Sequence, residues 1–144
     1  MKLKNSLLLL LLFVLSACDN AKQEQADLQK KVIDSHDILM VQMDEIMNKK
    51  LKLDSISANF ETIKKEKPAT DTAALKLSID SLKTRLTQAD EAMMSWMHQF
   101  NPDHTGKSHE EVMNYLKDQQ VKIDSVKTLF DHSLSKSELF ISKF

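Results

Sequence analysis

From Leu28 to Lys67 the chain contains neither Gly nor Pro, and Val32, Leu39, Ile46, Leu53 and Phe60 recur every seven residues. Leu28, Ile56 and Ile63 fill companion positions, so apolar side chains return to one face of a helix turn after turn. This spacing predicts one helix over about 21–66. A break near residues 48–54 is the alternative, because Asn48-Lys49-Lys50 and Asp54-Ser55 are polar where the stripe expects apolar groups. Pro68 ends the segment, since the residue before a proline resists helical dihedrals, and Thr70 or Asp71 can cap the next helix.

A second helix is predicted over about 71–100. Leu75, Ile79, Leu82, Leu86, Ala89, Met93, Trp96 and Phe100 form a single seam there. The stretch Asn101-Pro102-Asp103-His104-Thr105-Gly106-Lys107 holds both Pro and Gly and reads as a loop. Ser108-His109-Glu110-Glu111 then fits a capping box that opens a third helix over about 108–142. Val112, Leu116, Ile123, Val126, Phe130, Leu134 and Phe140 form its stripe, interrupted by Gln119, Ser133 and Ser137. Three amphipathic helices with short loops must run up, down and up to bury their stripes. The expected fold is therefore all-α, an antiparallel three-helix bundle with coiled-coil-like seams. The alternative is a four-helix bundle with the first helix broken near 48–54.

The amino terminus has a different pattern. Lys2 and Lys4 precede an apolar run from Leu7 to Leu15, which is too short for the ~20 residues of a comfortable membrane span and has the layout of a secretory signal. Leu15-Ser16-Ala17-Cys18 resembles the lipobox of bacterial lipoproteins, which implies cleavage before Cys18 and a covalent lipid on that residue. Cys18 is the only cysteine. The expected organisation is a signal peptide over 1–17, a lipidated tether over 18–27 and a helical bundle over 28–144. The expected location is the cell envelope, lipid-anchored to a bacterial membrane and exported.

Composition narrows the function classes. Removing residues 1–17 leaves 18 basic against 21 acidic residues, a net charge of −3 with His neutral. That mildly acidic balance argues against nucleic acid as a partner and against a polybasic membrane patch. No Gly-rich phosphate loop or nucleophile elbow is present, and His109-Glu110 lacks the second imidazole of a zinc-protease helix because Met113 stands in its place. No Glu-x-x-His pair offers carboxylate di-iron ligands. The chain is expected not to be an enzyme.

Candidate chemistry lies in the methionines. Under the expected topology, His36, Met40, Met43 and Met47 converge with Met93, Met94, Trp96, Met97 and His98, and His104, His109, Met113 and Tyr115 lie at the same end. Thioether and imidazole groups suit Cu(I) outside the cytoplasm, which makes His36, Met40, Met43, Met93 and Met97 candidate metal ligands. Haem held by Met and His is a further alternative. Against both stands ordinary core packing, in which Met fills irregular gaps and sets its sulfur on Trp96. His104, His109 and His132 read as solvated, as do most Asp, Glu and Lys.

The lipobox, the start His36-Asp37-x-x-Met40, the run Met43-Asp44-Glu45-Ile46-Met47 and the block Met94-Ser95-Trp96-Met97-His98-Gln99-Phe100 together resemble a family of small Bacteroidota lipoproteins. Its members often carry the label "viral A-type inclusion protein", a name that reflects coiled-coil composition. The resemblance implies an envelope location and brings no functional residue with it. The leading expectation is a membrane-anchored structural or protein-interaction module, with a protein partner or self-association. The alternative expectation is a periplasmic Cu(I)-binding protein. Because the first helix rises close to Cys18, the Met, Trp and His end is expected to be the one nearer the membrane.

Overall fold

The computed structural model describes residues 2–144, with side chains from Asn20 onward. The expected signal peptide, the expected lipobox and the side chain of Cys18 lie outside the side chains described. Four helices follow in order: α1 (Lys2–Ala58), α2 (Phe60–Glu66), α3 (Thr72–Gln99) and α4 (His109–Ile141). The fold is all-α, with no strand among the described residues. It has four helices, which corrects the expected three-helix bundle, and the break falls at Asn59 rather than within 48–54.

The break has a local cause. Asn59 has φ −103° and ψ 16°, and its side-chain amide donates to the Ser55 carbonyl at 2.8 Å. Its backbone N–H turns instead to the Ile56 carbonyl at 3.1 Å. An asparagine side chain has thus taken the acceptor that the next helical turn needs. Residues 48–54 stay helical because Lys49, only 7% exposed, reaches Glu138 of α4 and lies 3.7 Å from Glu45.

Three long elements supply the core. Val32, Leu39, Ile46 and Leu53 of α1 are buried, as are Leu75, Ile79, Leu86, Ala89, Met93 and Trp96 of α3. From α4 they meet Ile123, Val126, Phe130 and Leu134. Helix α2 has no buried residue, but Phe60 and Ile63 are half-buried against this core. Antiparallel α1 and α3 are tied by Lys50–Asp90 at 3.5 Å and by Lys83–Asp54. Helices α1 and α4 run parallel, as the contacts Ser35–Gln120 at 3.4 Å and Lys49–Glu138 advance together along both. The exposed i,i+4 pairs, such as Lys122–Asp118 at 2.7 Å, add little each.

Caps punctuate the ends. Asp71 accepts hydrogen bonds from the backbone of Ala73 and Ala74, both at 3.0 Å. Ser108 and Glu111 close a reciprocal capping box, which satisfies two of the orphan amides at the start of α4. Gly106, at φ +79°, turns the chain ahead of it.

Three carboxylates are held below their ordinary range. Asp103 is lowered by hydrogen bonds from the Thr105 hydroxyl and backbone. Glu111 is lowered by the backbone and hydroxyl of Ser108, and Glu138 by Lys49. A carboxylate whose pKa falls on folding stabilises the fold fully above its unfolded pKa, and that contribution disappears as pH falls through the folded one. The melting temperature is therefore expected to decline once pH drops below the ordinary values of 3.8 for Asp and 4.5 for Glu. Thermal melts of Glu111→Gln should show a smaller acid decline than the parent. An unchanged acid slope would remove Glu111 from this account.

Candidate functional site

The expected methionine–histidine cluster is only partly assembled. His36 and Met97 do meet, with Nε2 3.3 Å from the thioether sulfur. The other ring nitrogen of His36 lies 2.8 Å from Asp37 Oδ1, and the ring sits 5.7 Å from that of Trp96. Met43 packs half-buried on the core. Met93 is fully buried within the core, whereas Met40 is exposed. A fully enclosed thioether and a solvent-facing one do not share a coordination sphere.

Among the described residues, no group of three or more His, Cys, Asp or Glu side chains is placed to hold a metal ion. Together with the scatter of the thioethers, this corrects the Cu(I) expectation. The other expected prosthetic group, a lipid on Cys18, finds no support in the described side chains.

Helix face separates exposed Met40 from buried Met93, and register sets Met113 apart. Pairing outward from the 101–107 loop places Val112 and Met113 level with residues 40–43. Instead, Ser35 meets Gln120, so Val112 and Met113 lie toward the amino-terminal part of α1. The same shift appears on the α3 side, where the Ser133 hydroxyl donates to the Arg85 carbonyl at 3.3 Å. The loop sets this offset. The Asn101 backbone N–H donates to the Tyr115 hydroxyl at 2.7 Å, and the Phe100 ring stacks near Tyr115 at 6.2 Å. Tyr115 thus sits beside the end of α3, and the first turns of α4 run past it.

An aromatic ladder results. Trp96 stacks on Phe100 at 4.9 Å, Tyr115 follows, and His104 meets Tyr115 edge-on at 5.6 Å. Lys107 Nζ lies 5.2 Å from the Tyr115 centroid, within cation–π range. His104, expected to be solvated, has both ring nitrogens buried without a protein partner, and Trp96 Nε1 is likewise buried and unpaired. The ladder anchors the loop by stacking. His98, His109 and His132 are exposed.

Sequence reasoning missed the polar residues enclosed between helices. Gln119, Gln120, Ser133 and Ser137 are buried on α4, and Lys49 on α1. Their signal was present as interruptions of the apolar stripes. Gln120, Ser133 and Lys49 reach Ser35, the Arg85 carbonyl and Glu138 on neighbouring helices. They set which turn of α4 meets which turn of its neighbours, because a displaced polar group would lose its partner. Gln119, by contrast, bonds only Asp118 of its own helix, and the Ser137 hydroxyl has no partner among the described residues.

Apolar side chains also remain on the outside. Met40, Met47 and Leu51 of α1 are 40%, 55% and 58% exposed, and Met94 of α3 is 42% exposed. Steps of seven and four put the first three on one helix face. Met94 falls along α3 between Asp90 and Met97, the residues that contact Lys50 and His36. The four therefore flank the outer side of the α1–α3 seam.

These features define an all-α domain of four helices with an apolar core, internal polar pairs that fix register and an apolar strip along one seam. Among the described residues, no helix is long and apolar enough to cross a membrane. No family model, curated protein or solved structure matches the chain.

Proposed function

We propose that the chain is a non-enzymatic, membrane-anchored envelope lipoprotein whose helical domain serves as a protein-interaction module. The observation that carries the interaction reading is the exposed strip of Met40, Met47, Leu51 and Met94. Methionine is unbranched and polarisable, so a row of exposed thioethers can adapt to a partner's apolar surface better than branched side chains can. Contiguous exposed apolar surface is what a docking helix or loop covers. The anchoring part rests on Leu15-Ser16-Ala17-Cys18 and the basic and apolar segments before it.

Anchoring and docking have separate tests. Cys18→Ala is expected to move the chain from the membrane fraction to the soluble fraction, or to leave it as the unprocessed precursor. A processed, membrane-bound Cys18→Ala protein would end the lipobox reading. For docking, a photo-crosslinking amino acid at Met47 or Met94 is expected to trap the same discrete protein in intact cells. The same group at Ser125, exposed on α4, should not trap it. Adducts that do not differ between the strip and Ser125 would defeat the interaction reading.

A further inference from the structure

The exposed strip along the α1–α3 seam has a charge pattern of its own. Asp37, Met40, Asp44, Met47 and Leu51 follow one another at steps of three and four, so they share one face of α1, and all are exposed. Glu91, Met94 and His98 repeat these steps on α3 and are exposed as well. On α1, carboxylates and apolar side chains therefore alternate along one wall of the seam. The Lys50–Asp90 pair, 3.5 Å apart, bridges the two walls.

The charge is one-sided. Residues 37–51 and 87–98 carry Asp37, Asp44, Glu45, Asp90 and Glu91 against Lys49 and Lys50, with no arginine. Neither lysine is available to the exposed acids of the strip. Lys49 is buried against Glu138 of α4 and lies 3.7 Å from Glu45, and Lys50 holds Asp90. Lys83, at the far end of the seam, is held by Asp54. Asp37 has the His36 imidazole at 2.8 Å. Asp44 and Glu91 have no lysine or arginine within 4.0 Å among the described residues.

We propose that this strip receives a basic amphipathic helix of a partner protein. The apolar face of that helix lies on Met40, Met47, Leu51 and Met94, and its lysines or arginines meet Asp37, Asp44 and Glu91; the inference rests on the docking reading of the same surface. The seam between two helices is a groove into which the side chains of a third can pack. From Asp37 to Leu51 it runs about 21 Å at 1.5 Å per residue, or about four helical turns. A second copy of this strip, or an anionic lipid surface, would bring like charges together, which opposes both.

The probe is a peptide of about fifteen residues, matched to that length and built from Leu and Lys as an amphipathic helix. Its counterpart carries Glu in place of Lys. Methionine-methyl NMR of the full chain is expected to show saturable shifts at Met40, Met47 and Met94 with the lysine peptide, while Met113 stays unmoved. The expected Kd is about 10–100 μM, and the glutamate peptide should bind at least about tenfold more weakly. Asp44→Lys/Glu91→Lys should weaken the lysine peptide about fivefold or more. Glu61→Lys/Asp131→Lys makes the same change in net charge on α2 and α4, and should leave the affinity within about twofold because distant exposed charges are screened. All four acids are exposed, and the Met113 signal reports an intact fold. No saturation with the lysine peptide, equal binding of the glutamate peptide, shifts outside the strip, or equal loss in the two double variants each overturns the proposal. The docking reading fails separately, when in-cell crosslinking from Met47 and Met94 traps nothing that Ser125 does not.

Discussion

Phe130→Ala is expected to cost about 3–5 kcal/mol of folding stability, the range for removing a large aromatic side chain from a packed core. Phe130 is the largest fully buried side chain. It sits on α4 within the cluster that contains Leu39, Ile46 and Leu53 of α1 and Leu86 of α3. Truncating it leaves a cavity that helices fixed by polar pairs cannot easily close. The Lys49–Glu138 contact and the Ser133 bond to the Arg85 carbonyl hold α4 at its spacing on both sides. At about 4 °C per kcal/mol for a domain of this size, the melting temperature should fall by about 12–20 °C. Leu77→Ala is the natural comparison, since Leu77 is 72% exposed and should change stability by no more than about 0.5 kcal/mol. If the two variants melt together, α4 does not pack as described.

The second large effect separates the roles of two methionines that the sequence places side by side in function. Met93 is fully buried in the core, so Met93→Ala is expected to lose about 2–5 kcal/mol. Met93→Leu, which keeps volume and apolarity, should lose less than about 1.5 kcal/mol. Met40 is exposed, and Met40→Ala should fall within about 0.5 kcal/mol of the parent. Chemical denaturation of the three variants gives the comparison directly. A Met93→Leu protein as damaged as Met93→Ala would show that the sulfur, rather than the volume, matters at this position.

Seven-residue spacing made much of the core legible. Val32, Leu39, Ile46 and Leu53 are buried as their stripe requires, and the seam from Leu75 to Trp96 lies along the buried face of α3. Phe60 continues the same spacing but is only half-buried, because the chain has changed direction one residue earlier. That turn was not legible, since no Gly or Pro marks it. It depends on one asparagine amide competing for a backbone carbonyl. Polar residues at 48–54 pointed to the wrong place for a break because Lys49 finds its acid in Glu138, on a helix remote in sequence.

The candidate site was legible in composition and misleading in geometry. All seven methionines after Met1 lie in two blocks and one outlier, Met113, and simple loop closure would bring them level. Tyr115 prevents this by fastening to the Asn101 backbone and fixing α4 at an offset that no single-helix pattern contains. His36 and Met97 meet across the antiparallel α1–α3 pair. Met113 does not join them because its helix obeys the second loop.

The parallel contact of α1 with α4 has a consequence for the order of assembly. Ser35 meets Gln120, and Lys49 meets Glu138, across separations of 85 and 89 residues. A helical protein is usually thought of as folding from neighbouring segments, with rates set by local contacts. Here α3 covers part of the stripe of the first long helix and the last helix covers the rest, through a distant closure whose entropic cost grows slowly with loop length. Most contacts in the molecule are local, yet the α1–α4 pairing is supplied only when the last helix is in place.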